Sequence, residues 1–160
     1  MATVTIKNLD RLTKRLNNIA DMDLKKKVND ATKLVHAEAV SRAPEDEGIL
    51  RGSIHMESKK TKDGYEGRVY TNLEYSAYVE FGTGIKGNGT YPYEIEGVNL
   101  TYKDKGWAYI DPKTDEWIYT KGQEAQPYMY PALDVHKKHI NKILKDGVSD
   151  NLAKNCKGGQ

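Results

Sequence analysis

Cysteine is nearly absent: the 160-residue chain has one, Cys156, in a Lys- and Gly-rich tail. A lone thiol excludes an intramolecular disulfide framework and any cluster of cysteine ligands for a metal. It fits synthesis in a reducing compartment. Long apolar runs are missing too. No stretch approaches the roughly 18 or more apolar residues of a membrane span, and the N-terminus has no apolar core of a secretory signal, so the expectation is a soluble chain, not exported by that route, with no membrane contact. An excess of one charge is also lacking. Against 23 acidic residues stand 25 basic ones, a formal net charge of +2, far from the basic footprint of a dedicated nucleic-acid binder. Such a balance fits protein partners better.

The patterns of catalysis and cofactor binding are missing in turn. No serine or cysteine stands in a nucleophile-elbow context, and no carboxylate pair is spaced for acid–base work. The expectation is no enzyme, no cofactor and no metal. Three partial matches need answers. Gly82-Thr83-Gly84-Ile85-Lys86-Gly87 has the letters of a dinucleotide fingerprint, which works only when a strand leads in and a helix opens from the third glycine. Here Asn88-Gly89-Thr90-Tyr91-Pro92 follows, so a turn is the better reading. His136 and His139 could share a helix face, but no Glu-x-x-His pair or cysteine accompanies them. Asp111, Asp115 and Glu116 lack the central glycine and ligand spacing of a calcium loop, and read as a solvated hairpin tip.

What is there is enough chain for one domain with a real core. Leu9, Leu12, Leu16 and Ile19 recur at helical spacing, with Asn8 or Asp10 to cap them. Asp21 and Asp23 interrupt the pattern before a second helix with Leu24, Val28, Ala31, Val35 and Ala39 on its core side. Pro44 ends that helix by about Arg42, because the residue before proline is pushed out of the helical region. After the turn Glu45-Asp46-Glu47-Gly48, Ile54 and Met56 begin a strand. Lys62-Asp63-Gly64 turns the chain into Tyr65 to Thr71. Trp107 to Ile110 and Trp117 to Thr120 read as an aromatic hairpin across a proline-containing connection. The last helix is clearest from Pro131, a residue suited to a first helical turn, and ends near Gly147.

The chain is organised around Tyr75 to Gly84, Tyr-Ser-Ala-Tyr-Val-Glu-Phe-Gly-Thr-Gly, which holds the single phenylalanine. Over so few residues, periodicity leaves 75–81 open between strand and short helix. Tyr75, Tyr78, Val79 and Phe81 are expected to anchor a small core. Gly82 and Gly84 then turn the backbone out of it. Glu80, set between Val79 and Phe81, needs a basic or hydrogen-bonding partner if buried; Arg51 is the basic candidate.

Three segments together resemble the family of tail components of long-tailed phages, the neck and tail-completion proteins that act where head meets tail. Ala43 to Ile54 is similar to that family's Ala-Pro-x-Asp-Thr-Gly-x-Leu-Arg-x-Ser-Ile, with Glu47 in place of threonine. Tyr75 to Thr83 is similar to Tyr-x-x-Tyr-Val-Glu-Phe-Gly-Thr. Gln126 to Ala132 resembles Gln-Pro-Phe-Met-x-Pro-Ala, with Tyr128 for phenylalanine. The motif positions are Pro44, Gly48, Leu50, Arg51, Tyr75, Tyr78, Glu80, Phe81, Gly82, Thr83, Pro127, Met129 and Pro131. The likeness covers roughly residues 5 to 148. It implies a virion protein made in the host bacterial cytoplasm, with a ring-forming structural role among other neck, connector or tail proteins, and no catalysis.

The fold expected is α+β: an N-terminal helix pair and a C-terminal helix packed on a small, mainly antiparallel sheet. A single domain, 1–160, has its core at 5–83 and 123–148 and a polar tail at 149–160. Residues 84–122 form an inserted arm, removable without unfolding, whose Trp107, Tyr109, Trp117 and Tyr119 are candidate interface residues, since tyrosine and tryptophan are favoured in interfaces. The alternative is a nucleic-acid-binding module using lysines 25–27, 59, 60, 62, 137, 138, 142 and 145. Non-specific contact with DNA passing through a ring is compatible with either.

Overall fold

The computed structural model describes residues 9–45, 48–62, 64–111 and 113–157, with side chains described between 24 and 146. Asn8, Asp46, Glu47, Asp63 and Pro112 lie outside the described residues, and with them the Asn8 cap and part of three expected turns. The elements are α1 (Leu9–Arg42), α2 (Ile49–Gly52), β1 (Ile54–Thr61), β2 (Gly64–Thr71), α3 (Ser76–Phe81), α4 (Gly84–Gly87), β3 (Trp107–Ile110), β4 (Trp117–Thr120), β5 (Gly122–Gln123) and α5 (Met129–Lys157). β1 pairs with β2 and β3 with β4, as two separate two-stranded sheets. The fold class is α+β, with a long helix toward each end.

Two boundaries differ from the sequence reading. The expected N-terminal helix pair is one helix, α1, which runs through Asp21 and Asp23. Aspartate costs at most about 0.7 kcal/mol relative to alanine inside a helix, which slows no helix that has neither glycine nor proline at the joint. The C-terminal helix likewise passes Gly147 and reaches Lys157, since one glycine costs only about 1 kcal/mol. Pro44, by contrast, stands two residues past the end of α1.

The chain divides into two compact units. One holds the chain up to Val35, Met56–Val69 and the chain from Val135; the other holds His36–His55 and Tyr70–Asp134. In the first, Ala31 and Thr32 are the buried residues among the described side chains of α1. Thr32 Oγ1 donates to the Val28 carbonyl at 2.7 Å and lies 3.5 Å from Ser58 Oγ of β1. Gly67 of β2 comes so close that a Cβ there would collide with Thr32 Oγ1. Glycine is therefore required at 67 by proximity to the helix. Exposed cross-strand pairs, Lys59–Glu66 at 3.5 Å and Arg68–Glu57 at 3.9 Å, decorate the hairpin, each contributing about 0–1 kcal/mol.

Gly67→Ala is expected to cost about 1–3 kcal/mol, the range for overpacking. Thr32→Ala, which removes the colliding oxygen, is expected to recover part of that loss in the double variant. Thermal melts of the four proteins in the cycle measure it, and strictly additive losses would mean that the two residues do not meet.

Among the described residues of the second unit the buried apolar ones are Ala39, Ala43, Leu50, Ile54, Tyr128 and Ala132. Half are alanines, so backbones approach closely and little large apolar surface is hidden. Gly48 takes φ 71° to swing the chain from the end of α1 into α2. Arg51 then reaches back, its Nε donating to the Ala43 carbonyl at 2.8 Å and its Nη1 to Glu45 Oε2 at 2.8 Å. It thereby satisfies a carbonyl just past the last helical turn.

Candidate functional site

Within the stretch Tyr75 to Gly84, Ser76–Phe81 form the short helix α3, with Tyr75 at its N-cap and a break at Gly82; the segment left open between strand and helix is thus helical. Its one buried side chain is Glu80, 5% exposed. The partner of Glu80 is not Arg51, whose guanidinium is committed to Ala43 and Glu45. Glu80 Oε2 accepts the backbone N–H of Tyr128 at 2.8 Å and of Met129 at 2.9 Å, and Oε1 accepts that of Tyr130 at 3.1 Å. These residues open α5. A helix begins with four N–H groups that lack an intrahelical acceptor; here three go to one carboxylate and the fourth position is Pro131, which has no N–H. The helix dipole adds a favourable field at the same point. A carboxylate 48 residues earlier in sequence thus caps the last helix.

Tyr91 O–H stands 3.5 Å from Glu80 Oε1. Burial, then the charge of Glu80, raises the Tyr91 hydroxyl pKa well above the ordinary phenol value. The same two causes, burial first, push the Tyr128 hydroxyl up to about 12. Phe81 packs edge-on against Tyr91 at 5.0 Å between ring centroids, Tyr91 against Tyr93 at 5.6 Å, and Tyr93 against Tyr130 at 4.9 Å. Tyr75 and Tyr78 do not join this core. They are 42% and 58% exposed, because on a helix of six residues the side that presents Glu80 inward turns them out.

The glycine-spaced segment is a backbone crossing. Gly82 has φ 75° and ψ 173°, a region essentially reserved for glycine. A Cβ on it would sit 2.8 Å from the Ala125 nitrogen, and one on Gly84 2.6 Å from the Lys121 carbonyl oxygen. Isolated bridges pair Thr83 with Gln123 and Gly84 with Gly122. Gln126 N–H donates to the Val79 carbonyl at 2.8 Å, and Ala125 N–H to Thr90 Oγ1 at 2.9 Å. No strand leads into these glycines, and the third closes the four-residue α4. The dinucleotide geometry is not formed.

From this crossing projects the aromatic hairpin, with Trp107 opposite Thr120, Ala108 opposite Tyr119, Tyr109 opposite Ile118 and Ile110 opposite Trp117. Partners across an antiparallel pair share a face, and faces alternate along a strand. Trp107, Tyr109, Ile118 and Thr120 therefore share one face, and Ala108, Ile110, Trp117 and Tyr119 the other. The first face helps line a groove of about 770 Å³, with Tyr75, Tyr78, Val79, Gly82, Thr83 and Lys103. Lys103 Nζ lies 4.9 Å from the centre of the Trp107 ring. On the second face Ile110, Trp117 and Tyr119 are 49%, 73% and 66% exposed. The tip is a closed turn: Asp111 Oδ1 accepts the Lys113 N–H at 2.9 Å, and Asp115, at φ 58°, donates its N–H to the Asp111 carbonyl at 2.8 Å.

The structure therefore gathers Tyr75, Tyr78, Gly82, Thr83, Trp107 and Tyr109 around one groove, joins Glu80 to Met129, and sets Trp117 and Tyr119 apart on the opposite face. Pro44, Gly48, Leu50 and Arg51 lie around the end of α1. Sequence reasoning missed Thr90, Tyr91, Tyr102 and Gln123, which hold the crossing; Tyr102 O–H donates to the Phe81 carbonyl at 2.9 Å and Gln123 Nε2 to that of Tyr78 at 2.9 Å. Irregular chain carries no periodicity to find them by. No group of three or more metal-binding side chains forms among the described residues, and no described helix is long and apolar enough to cross a membrane.

Residues 4–82 match the model of a family described as "Bacteriophage HK97-gp10, putative tail-component". The matched span holds the first of the three sequence segments and the second as far as Gly82; Thr83 and Gln126 to Ala132 lie beyond it. No curated protein and no solved structure matches the chain at a significant level.

Proposed function

We propose, from the match of residues 4–82 to the model of a phage tail-component family, that this chain is a neck or tail-completion subunit, forming a closed ring that joins head to tail. A tail component is a structural part of the virion, and its partners are other phage structural proteins. The finer placement at the head–tail junction rests on the three-segment likeness, of which Thr83 and Gln126 to Ala132 lie outside the matched span. The observation that carries ring formation is the exposed hairpin: β3 and β4 contain no charged residue, and Trp117 and Tyr119 stand largely in solvent. Contiguous exposed apolar surface of this kind marks interaction sites. Subunits that associate head to tail close into a ring when the rotation between them closes. The protein acts through contact area and not through turnover. DNA passing through such a ring would meet only a weak, salt-screened attraction, since the net charge is +2.

Electron microscopy of lysates from a phage with a defective copy tests the placement. The expected picture is heads and tails in normal amounts that fail to join, or tails of unfinished length. Normal infectious particles lacking the subunit would remove the structural role, and empty or absent heads would move it to capsid assembly or packaging.

A further inference from the structure

The ring contact has a specific form, which rests on the subunit reading above. We infer that the outward face of the hairpin, Ile110, Trp117 and Tyr119, docks into the groove beside α3 of a second copy of this chain, with the acidic hairpin tip against Lys103. The two faces of one hairpin point in opposite directions. One face lines the chain's own groove and the other points away from it, so the outward face is free to enter the groove of another molecule.

Area and charge both favour a second copy as the occupant. The two aromatics, at about 150–250 Å² each when fully buried, form the centre of a patch that Ile110 and the tip extend toward the roughly 800 Å² per partner of a specific interface. On the receiving side, Tyr75 and Tyr78 offer exposed aromatic surface of the same kind. Among the described residues, Lys103 is the one charged residue that lines the groove. The tip carries Asp111, Asp115 and Glu116 against Lys113, so the approaching end is negative where the receiving groove is positive. Such complementarity steers encounter and fixes register. The contact uses different surfaces on the two subunits, so it is heterologous and propagates around a ring.

Full-length chains carrying Cys156→Ser, and in addition either Trp117→Cys or Tyr78→Cys, are mixed and treated with a short bis-maleimide. Tyr119→Cys with Tyr75→Cys forms a second pair, all four positions being exposed. The expected result is a cross-linked dimer in each mixture and none in any variant alone. Lys103→Glu is expected to cut the cross-linked fraction severalfold at low salt, with the difference fading at high salt. Sedimentation of the same samples reports assembly independently. Oligomers without the mixed cross-link would overturn the docking while leaving the ring. Monomers at every concentration, with no cross-link, would overturn both. A Trp117→Cys chain that links to itself would make the contact hairpin to hairpin, and a Tyr78→Cys chain that links in phage lysate only to a different virion protein would give the groove another occupant; either overturns the proposal.

Discussion

Glu80→Ala is expected to lower the unfolding free energy by about 3–5 kcal/mol, a large part of the roughly 5–15 kcal/mol that holds a domain together. The variant leaves the N–H groups of Tyr128, Met129 and Tyr130 without their acceptor, and each buried donor so abandoned costs about 1–3 kcal/mol. Partial rehydration as the first turn of α5 frays keeps the sum below the simple total. Glu80→Gln retains an acceptor oxygen and loses the charge that meets the helix dipole, so it falls between alanine and wild type. Denaturant titration with an unchanged m-value measures the loss, and faster amide exchange at Met129 and Tyr130 locates it. An alanine variant with wild-type melting but no assembly would make Glu80 an interface group. Wild-type melting together with wild-type assembly would remove both roles.

That result bears on how much of this molecule could be read before folding. The ends of β3 and β4 follow from their aromatic runs and the turn chemistry between them, and the stop after Arg42 follows from Pro44, because those signals are local. Glu80 was legible as a problem, a carboxylate among apolar neighbours, but not in its solution. A lone carboxylate in sequence points to a cation such as Arg51, whereas the positive partner is a helix terminus 48 residues away that carries no charged side chain. Asp21, Asp23 and Gly147 looked like helix ends, yet each opposes a helix by about 1 kcal/mol or less. The tyrosines misled in the other direction. Tyr75 and Tyr78 have the composition of core residues and the position of groove-lining ones, while Tyr91 and Tyr102, in chain without periodicity, brace the crossing. Composition counts aromatics without separating those that hold the fold from those that face a partner.

Two excisions separate those roles. Joining Trp107 to Thr120 through Asn-Gly removes residues 108–119 and is expected to leave a folded chain that no longer assembles. The two joined residues are already cross-strand partners, and Asn-Gly supplies the positive φ angles that a two-residue hairpin turn requires. The cut removes Ile110, Trp117, Tyr119 and the acidic tip, none of which is buried, and spares the crossing at Gly82 and Gly122. Replacing all of 84–122 by a flexible linker is expected to unfold the second unit, contrary to the removable arm that the glycine content of this segment implies. That wider cut takes Tyr91 from Phe81, Tyr93 from Tyr130, the Thr90 hydroxyl from Ala125 and the Tyr102 hydroxyl from Phe81. At about 0.5–1.5 kcal/mol for each aromatic pair and about 1 kcal/mol for each hydrogen bond, with the apolar burial lost besides, the sum is on the order of 5 kcal/mol. Circular dichroism melts and sedimentation of both proteins decide the matter. A wide excision that melts like wild type would place the boundary of the arm at 84, and a short excision that still sediments as rings would take the hairpin out of the interface.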